Sequence, residues 1–151
     1  MKPAFAFLSF FISIGCMQIA TAQESKPMTH PPYKVTLLKI PVSDITVSAK
    51  FYAEGLGFEQ QFIAEKYGWA QFKAGDLSIA LYKPGMGGGN RKPGGSVDFH
   101  LSVENLEQLQ DRLKHFDPKL KVGIFKNDDG SETLEFTDPD GNEFKISKAS
   151  K

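Results

Sequence analysis

The stretch FTDPDGNEFKIS, Phe136 to Ser147, reads as a strand, a tight turn and a second strand. Asp138-Pro139-Asp140-Gly141 supplies the turn, proline presetting one negative φ and glycine accepting a positive one. The hairpin has an earlier echo. QFKAGDLSIALY, Gln71 to Tyr82, matches EFTDPDGNEFKIS with one residue's gap, and GDL at Gly75–Leu77 makes its turn. Two copies of one closing hairpin in a chain of 151 residues imply a doubled module inside a single domain.

The residues before each hairpin bear this out. SVDFHLSV alternates, with Val97, Phe99, Leu101 and Val103 on one strand face and Ser96, Asp98, His100 and Ser102 on the other. ENLEQLQDRLKHF then sets Leu106, Leu109, Leu113 and Phe116 on one helix side. KVGIFK, ETLEFT and NEFKIS are the three strands that follow. The first half has the same order. YKVTLLKIPV is a strand with Thr36, Leu38, Ile40 and Val42 on one face. DITVSAKFYAEGLG is a helix with Asp44 as N-cap, Gly55 or Gly57 as its stop, and Ile45, Ala49, Tyr52 and Leu56 facing the sheet. FEQQFIAE, GWAQFKA and LSIALYK complete that half. The expected fold is α+β: two βαβββ modules, residues 33–83 and 96–148, forming a cup-shaped mixed sheet with helices on the outer face. The linking segment 84–95 is too rich in glycine for regular structure, and reads as a linker or mobile flap.

The N-terminus has a different composition. Lys2 precedes an uncharged apolar run, Ala4 to Met17, and small residues stand at Ala20 and Ala22. This is the pattern of a signal peptide, residues 1–22, too short to span a bilayer comfortably. Residues 23–32 are a polar, proline-bearing lead-in, and 33–151 the single domain. The expected location is exported, periplasmic or secreted. Cys16, in SIGC, faintly resembles a lipoprotein cleavage box, but Ser13 replaces the usual leucine-like residue, so plain export is preferred. After cleavage no cysteine remains for thiolate chemistry, disulfides or metal ligation. Lys plus Arg and Asp plus Glu number 18 each, so no basic excess exists to neutralise nucleic-acid phosphates. No cationic amphipathic segment suggests a membrane surface as partner.

PVSDITVSAKFYAEGLGFE in the first half and TDPDGNEFKI in the second, at this spacing, resemble the vicinal oxygen chelate superfamily of glyoxalase I, extradiol dioxygenases and bleomycin-resistance proteins. The resemblance spans Tyr33 to Lys148 and implies the paired βαβββ fold with a cup-shaped site. The metalloenzymes of that family take one metal ligand, usually His, Gln or Glu, from each opening and each closing strand. Carried over, those positions are Leu37, Ala80, Asp98 and Lys145. Only Asp98 is a ligand type, and a lysine ammonium repels a dication. The resemblance therefore implies a cup without the family's metal, and no cofactor is expected.

Strand alternation places Lys39, Trp69, Gln71, Tyr82 and Glu135 on the cup side, with Asp98, His100 and Lys145. If Asp98 and Lys145 face each other they pair, and the ammonium stands where the metal's charge would be. The other reading of Lys145 is a solvent-facing residue beside Glu143. Trp69 can stack on a ligand or pack as core. His30 falls in the lead-in and His115 at a helix end, where a cation suits the dipole. No Ser-His-Asp arrangement, phosphate loop or dinucleotide fingerprint occurs; GMGGGN opens no helix after a strand. Three functions stay open. The first is an exported glyoxalase/bleomycin-resistance-like domain that binds a small polar organic ligand without metal. The second is a metal-dependent lyase, isomerase or dioxygenase using Asp98, His100 and Glu135. The third is an interaction protein whose cup is filled by its own side chains. The modules close one cup within a chain or pair across a homodimer.

Overall fold

The computed structural model describes residues 34–149. The expected signal peptide, the lead-in, Cys16 and His30 lie outside the described residues.

The first module opens with β1 (Leu38–Pro41), shorter than the alternation suggested. Asp44 then caps α1 (Ile45–Lys50), its carboxylate accepting from the Val47 amide at 2.9 Å. The helix widens into a π-type turn over Phe51–Gly55, where the Leu56 amide donates to the Phe51 carbonyl at 3.0 Å. That wider turn buries both Phe51 and Tyr52, alongside Ile45, Ala49 and Leu56. Strands β2 (Glu59–Ala64), β3 (Trp69–Ala74) and β4 (Leu77–Tyr82) follow. They form a sheet in the order β1-β4-β3-β2, with β1 parallel to β4 and the other pairs antiparallel.

The second module repeats this around β7 (Val122–Lys126), β8 (Glu132–Thr137) and β9 (Asn142–Lys148). Asn105 caps α2 (Leu106–Phe116). The opening strand differs from expectation. It is broken into β5 (Gly95–Ser96) and β6 (Leu101–Val103), both parallel to β9. Ser96 pairs with Glu143 and Leu101 with Ile146, so five steps on one strand match three on the other. Two residues are therefore extra. An even excess keeps the alternation in phase: Val97, Phe99, Leu101 and Val103 are half-buried, and Asp98, His100 and Ser102 exposed. It also lifts Asp98 off the ladder. Each module thus contributes its own mixed sheet to an α+β fold.

One apolar core joins the two sheets. The Tyr52 ring lies 6.2 Å from Phe72 of β3 and 6.0 Å from Phe144 of β9, and Phe51 lies 6.1 Å from Phe136 of β8. The helix of the first module therefore packs on both sheets.

The DPDGN turn adds a polar clasp to this apolar seam. Buried Asp138 accepts four hydrogen bonds. Tyr52 Oη and Asn142 Nδ2 donate to Oδ2, each at 2.7 Å, and the amides of Asp140 and Asn142 donate to Oδ1 at 2.9 and 2.8 Å. Asn142 also donates from Nδ2 to the Pro41 carbonyl at 3.0 Å and accepts from the Gly94 amide at 2.9 Å. Asp140 takes the Ser48 hydroxyl and the Ser43 amide, both at 2.7 Å. Gly141, at φ 78°, closes the turn with its amide on the Asp138 carbonyl. Burial pushes the Asp138 carboxyl up from its ordinary value, against the pull of its donors. Burial and the adjacent Asp138 charge hold the Tyr52 phenol well above its usual 10.0.

The glycine-rich segment rests on the first sheet at Gly88. Lys39 Nζ donates to the Gly88 carbonyl at 2.6 Å and lies 5.6 Å from the Tyr82 ring centroid. Gly88 and Tyr82 are both buried. A Cβ on Gly88 would stand 2.3 Å from Tyr82 Cβ and 2.6 Å from Cγ, so only glycine permits this contact. Tyr82 is held under the segment, whereas Lys39 stays exposed and lines a small pocket with Arg91 and Asp98.

Two outcomes follow from these contacts. In the folded state Tyr52 keeps its proton beyond the pH at which an unfolded tyrosine ionises, near 10. Its contribution is complete below that pH and is lost as the pH rises past it. Tyr52→Phe is expected to cost about 1.5–3 kcal/mol at neutral pH and to flatten the decline above pH 10, read by urea unfolding across pH 7–11. An equally steep decline in the variant would remove Tyr52 from the clasp. Gly88→Ala is expected to cost about 1–3 kcal/mol. It should also shift the emission of Trp69, the single tryptophan and the cross-strand partner of Tyr82. Unchanged stability and spectrum would mean that the segment does not rest on Tyr82.

Candidate functional site

The face of the second sheet turned away from α2 is built in rows by strand register. Gly123, Glu135 and Lys145 are neighbours across β7, β8 and β9. Phe125, Thr133 and Ser147 form the next row, and Thr137 pairs with Glu143 beyond. Residues between these, Leu134, Phe136, Phe144 and Ile146, are buried in the core. The Gly123–Glu135–Lys145 row, Phe125 and the Thr137–Glu143 pair line an open hollow of about 510 Å³.

At its centre Lys145 Nζ meets Glu135 Oε1 at 2.9 Å. The two side chains keep 59% and 35% of their exposure, so the pair is solvated and contributes at most about 1 kcal/mol to stability. Its significance is positional: a positive and a negative group stand side by side at the floor of a concavity. Phe125 forms one wall, 53% exposed. Its ring lies over Gly123, where a Cβ would come within 3.0 Å of Cε2 and 3.1 Å of Cζ. The glycine is what lets the ring lie down on the sheet. Thr133 Oγ1, beside Phe125 in register, is buried and has no hydrogen-bond partner among the described residues.

The candidates read from the sequence divide into three groups. Glu135 and Lys145 come together. Lys39, Tyr82, Trp69 and Gln71 lie on the first sheet, Trp69 opposite Tyr82 and Gln71 opposite Ala80, with the glycine-rich segment over Tyr82. Asp98 and His100 fall in the broken opening strand, both exposed, and Asp98 shares a small pocket of about 120 Å³ with Lys39 of the first sheet. Asp98 and Lys145, which would pair if they faced each other, do not pair. Asp98 Oδ2 is held at 3.0 Å by Arg91 Nη1, with 84% of its side chain exposed, and Lys145 is taken by Glu135. The two extra residues between Ser96 and Leu101 are the cause, because they carry Asp98 out of register with β9.

Arg91, Phe125, Gly123, Thr133 and Gly88 were not singled out in the sequence. A signal existed for one of them: a glycine inside a strand, as in KVGIFK, marks a close approach. Nothing local marks Arg91 or Thr133, whose importance comes from the partner each has or lacks.

The chemistry does not suit the family's metal. Leu37 and Ala80 have no donor atom, Asp98 is bound to a guanidinium, and Lys145 is a cation. The alternative set fares no better, since Glu135 is bound to Lys145 and Asp98 to Arg91. No group of three His, Cys, Asp or Glu that could hold a metal ion occurs among the described residues. The floor can instead donate and accept hydrogen bonds and offer an aromatic face.

Known proteins of this shape are numerous. Lactoylglutathione lyase from Agrobacterium tumefaciens aligns at a TM-score of 0.64 with 17% identity, over 78% of this chain and 95% of that one. TnmS3, an antibiotic binding protein from Streptomyces sp. CB03234, aligns at 0.64 with 25% identity, over 81% of this chain and all of its own (100%). A superfamily member from Sphaerobacter thermophilus DSM 20745 gives 0.64 and 24%, over 77% and 97%. No curated protein sequence matches the chain. The model of the Glyoxalase/Bleomycin resistance protein/Dioxygenase superfamily matches residues 34–146. With that match across both modules, the chain belongs to the glyoxalase/bleomycin resistance protein/dioxygenase superfamily.

Proposed function

We propose that the chain is an exported binding protein that holds a small polar organic molecule in its cup without a divalent metal. One observation carries this reading: the Glu135–Lys145 ion pair at the floor of the hollow. By the resemblance, Lys145 takes one of the positions from which the metalloenzymes of the family draw a ligand, and its ammonium would stand in for the metal's charge. Such an ammonium can hold a carbonyl or hydroxyl oxygen of an organic molecule, and the adjoining carboxylate can accept from an O–H or N–H. The likeness to an antibiotic binding protein supports capture over turnover. Export rests on the apolar leader and the Ala20–Ala22 pattern.

Metal content and metal-induced stabilisation of the exported protein test the reading. Elemental analysis is expected to find far less than one metal per chain. Zn²⁺, Ni²⁺, Mn²⁺ and Fe²⁺ are expected to leave the melting temperature unchanged, because a ligand that prefers the folded state must raise it. A stoichiometric metal with a raised melting temperature would favour a metal-dependent enzyme. The mass of the exported chain is expected to place its N-terminus at Gln23; an uncleaved leader would remove export from the proposal.

A further inference from the structure

Resting on that reading, we infer the class of molecule the cup takes: a planar aromatic ring bearing a neutral group that both donates and accepts hydrogen bonds, of which an aromatic carboxamide is the simplest. Three features of the second sheet's face define it.

The first is the order along one row. Phe125 lies over Gly123, Gly123 neighbours Glu135, and Glu135 neighbours Lys145. Adjacent strands are about 4.8 Å apart. A planar molecule stacked on the Phe125 ring therefore brings its substituent beside the Glu135 carboxylate, with the ammonium just beyond. An offset-stacked ring gains from the aromatic face beyond the area it covers.

The second is charge. Glu135 and Lys145 neutralise each other, and Lys121 and Glu143 add one charge of each sign to the lining of the hollow. A carboxylate on the ligand would approach Glu135 and would have to take Lys145 away from it. An ammonium would face the converse competition. A neutral carboxamide breaks nothing. Its N–H donates to Glu135 Oε2, and its carbonyl accepts one of the Lys145 N–H groups not used by Glu135 Oε1.

The third is the hydroxyl of Thr133, buried beside Phe125 and without a partner among the described residues. Native interiors seldom leave such a group unmet. Thr133 lies outside the lining of the hollow, so it is a partner only for a ligand that reaches past Phe125 into the next row. The first sheet offers no equivalent, because Gly88 and Lys39 cover Tyr82 there. The Glu135–Lys145 pair stands once on this face, so one ligand per chain is expected here.

The test is calorimetric titration of the exported protein with three probes: 2-naphthamide, 2-naphthoate and the saturated decahydro-2-naphthamide. The amide is expected to bind with one site per chain, about tenfold or more tighter than either of the others. Phe125→Leu keeps the apolar volume without the ring and is expected to weaken the amide about five- to tenfold. Glu135→Gln frees Lys145 and is expected to shift preference towards the carboxylate. Both side chains are at least partly exposed, so neither change threatens folding. Tighter binding of 2-naphthoate by the parent would overturn the ligand class and leave the organic-ligand cup standing. Amide binding indifferent to both substitutions would move the site off this face and overturn the inference. No binding of any probe by a metal-free protein would also overturn the class. A stoichiometric metal would instead remove the reading on which it rests.

Discussion

The Asp138 carboxylate, buried under four hydrogen bonds, is the contact on which the arrangement of the two modules depends. Two of its donors are amides of its own turn, so it first fixes the DPDGN loop. A third, Tyr52, belongs to the helix of the other module. Asn142 is the fourth, and its second N–H reaches the Pro41 carbonyl at the end of β1. A carboxylate removed from water is costly unless its acceptor sites are filled, and here they are filled from both halves of the chain. The turn and the helix can therefore satisfy it, with Asn142 tied to the first strand, only in one relative placement. Tyr52 and Phe51 then complete the placement with apolar contacts to both sheets.

This seam explains why a near repeat produces an unequal site. Both sheets turn one face to the helices and leave the other for the cup. On the first, Lys39 reaches out to the Gly88 carbonyl and the glycine-rich segment settles on Tyr82. On the second, Lys145 turns to Glu135, and the face stays open beside Phe125. The break in the second opening strand deepens the asymmetry. In the first module Lys39 pairs with Ala80 in regular parallel register, whereas Asp98 and His100 sit in the bend between β5 and β6.

The elements were legible because their signals are local. Asp44 capped the helix expected of it, and Ile45, Ala49, Tyr52 and Leu56 met the core at helical spacing. The six strands of the two closing halves appear where alternation and turn residues set them. The opening strands were harder. Alternation at Ser96–Val103 correctly separated half-buried from exposed residues, yet it could not register an excess of two, since an even excess leaves a period of two undisturbed. For the same reason the sequence could say which way Asp98 points but not what it meets.

The sequence by itself determined the α+β modules, the turn at Asp138–Gly141 and the residue types Leu37, Ala80 and Lys145 at the positions that the resemblance assigns to metal ligands. Those properties rest on residue type and short spacing: a glycine takes a positive φ, an alanine has no donor atom, an ammonium repels a dication. Tertiary structure alone decided the partners. Lys145 went to Glu135 and not to Asp98, Arg91 claimed Asp98, and Gly88 came to rest on Tyr82. Each is a contest among several complementary groups. Its winner is set by distances that the packing of two sheets and a broken strand imposes, and no periodicity along the chain contains those distances.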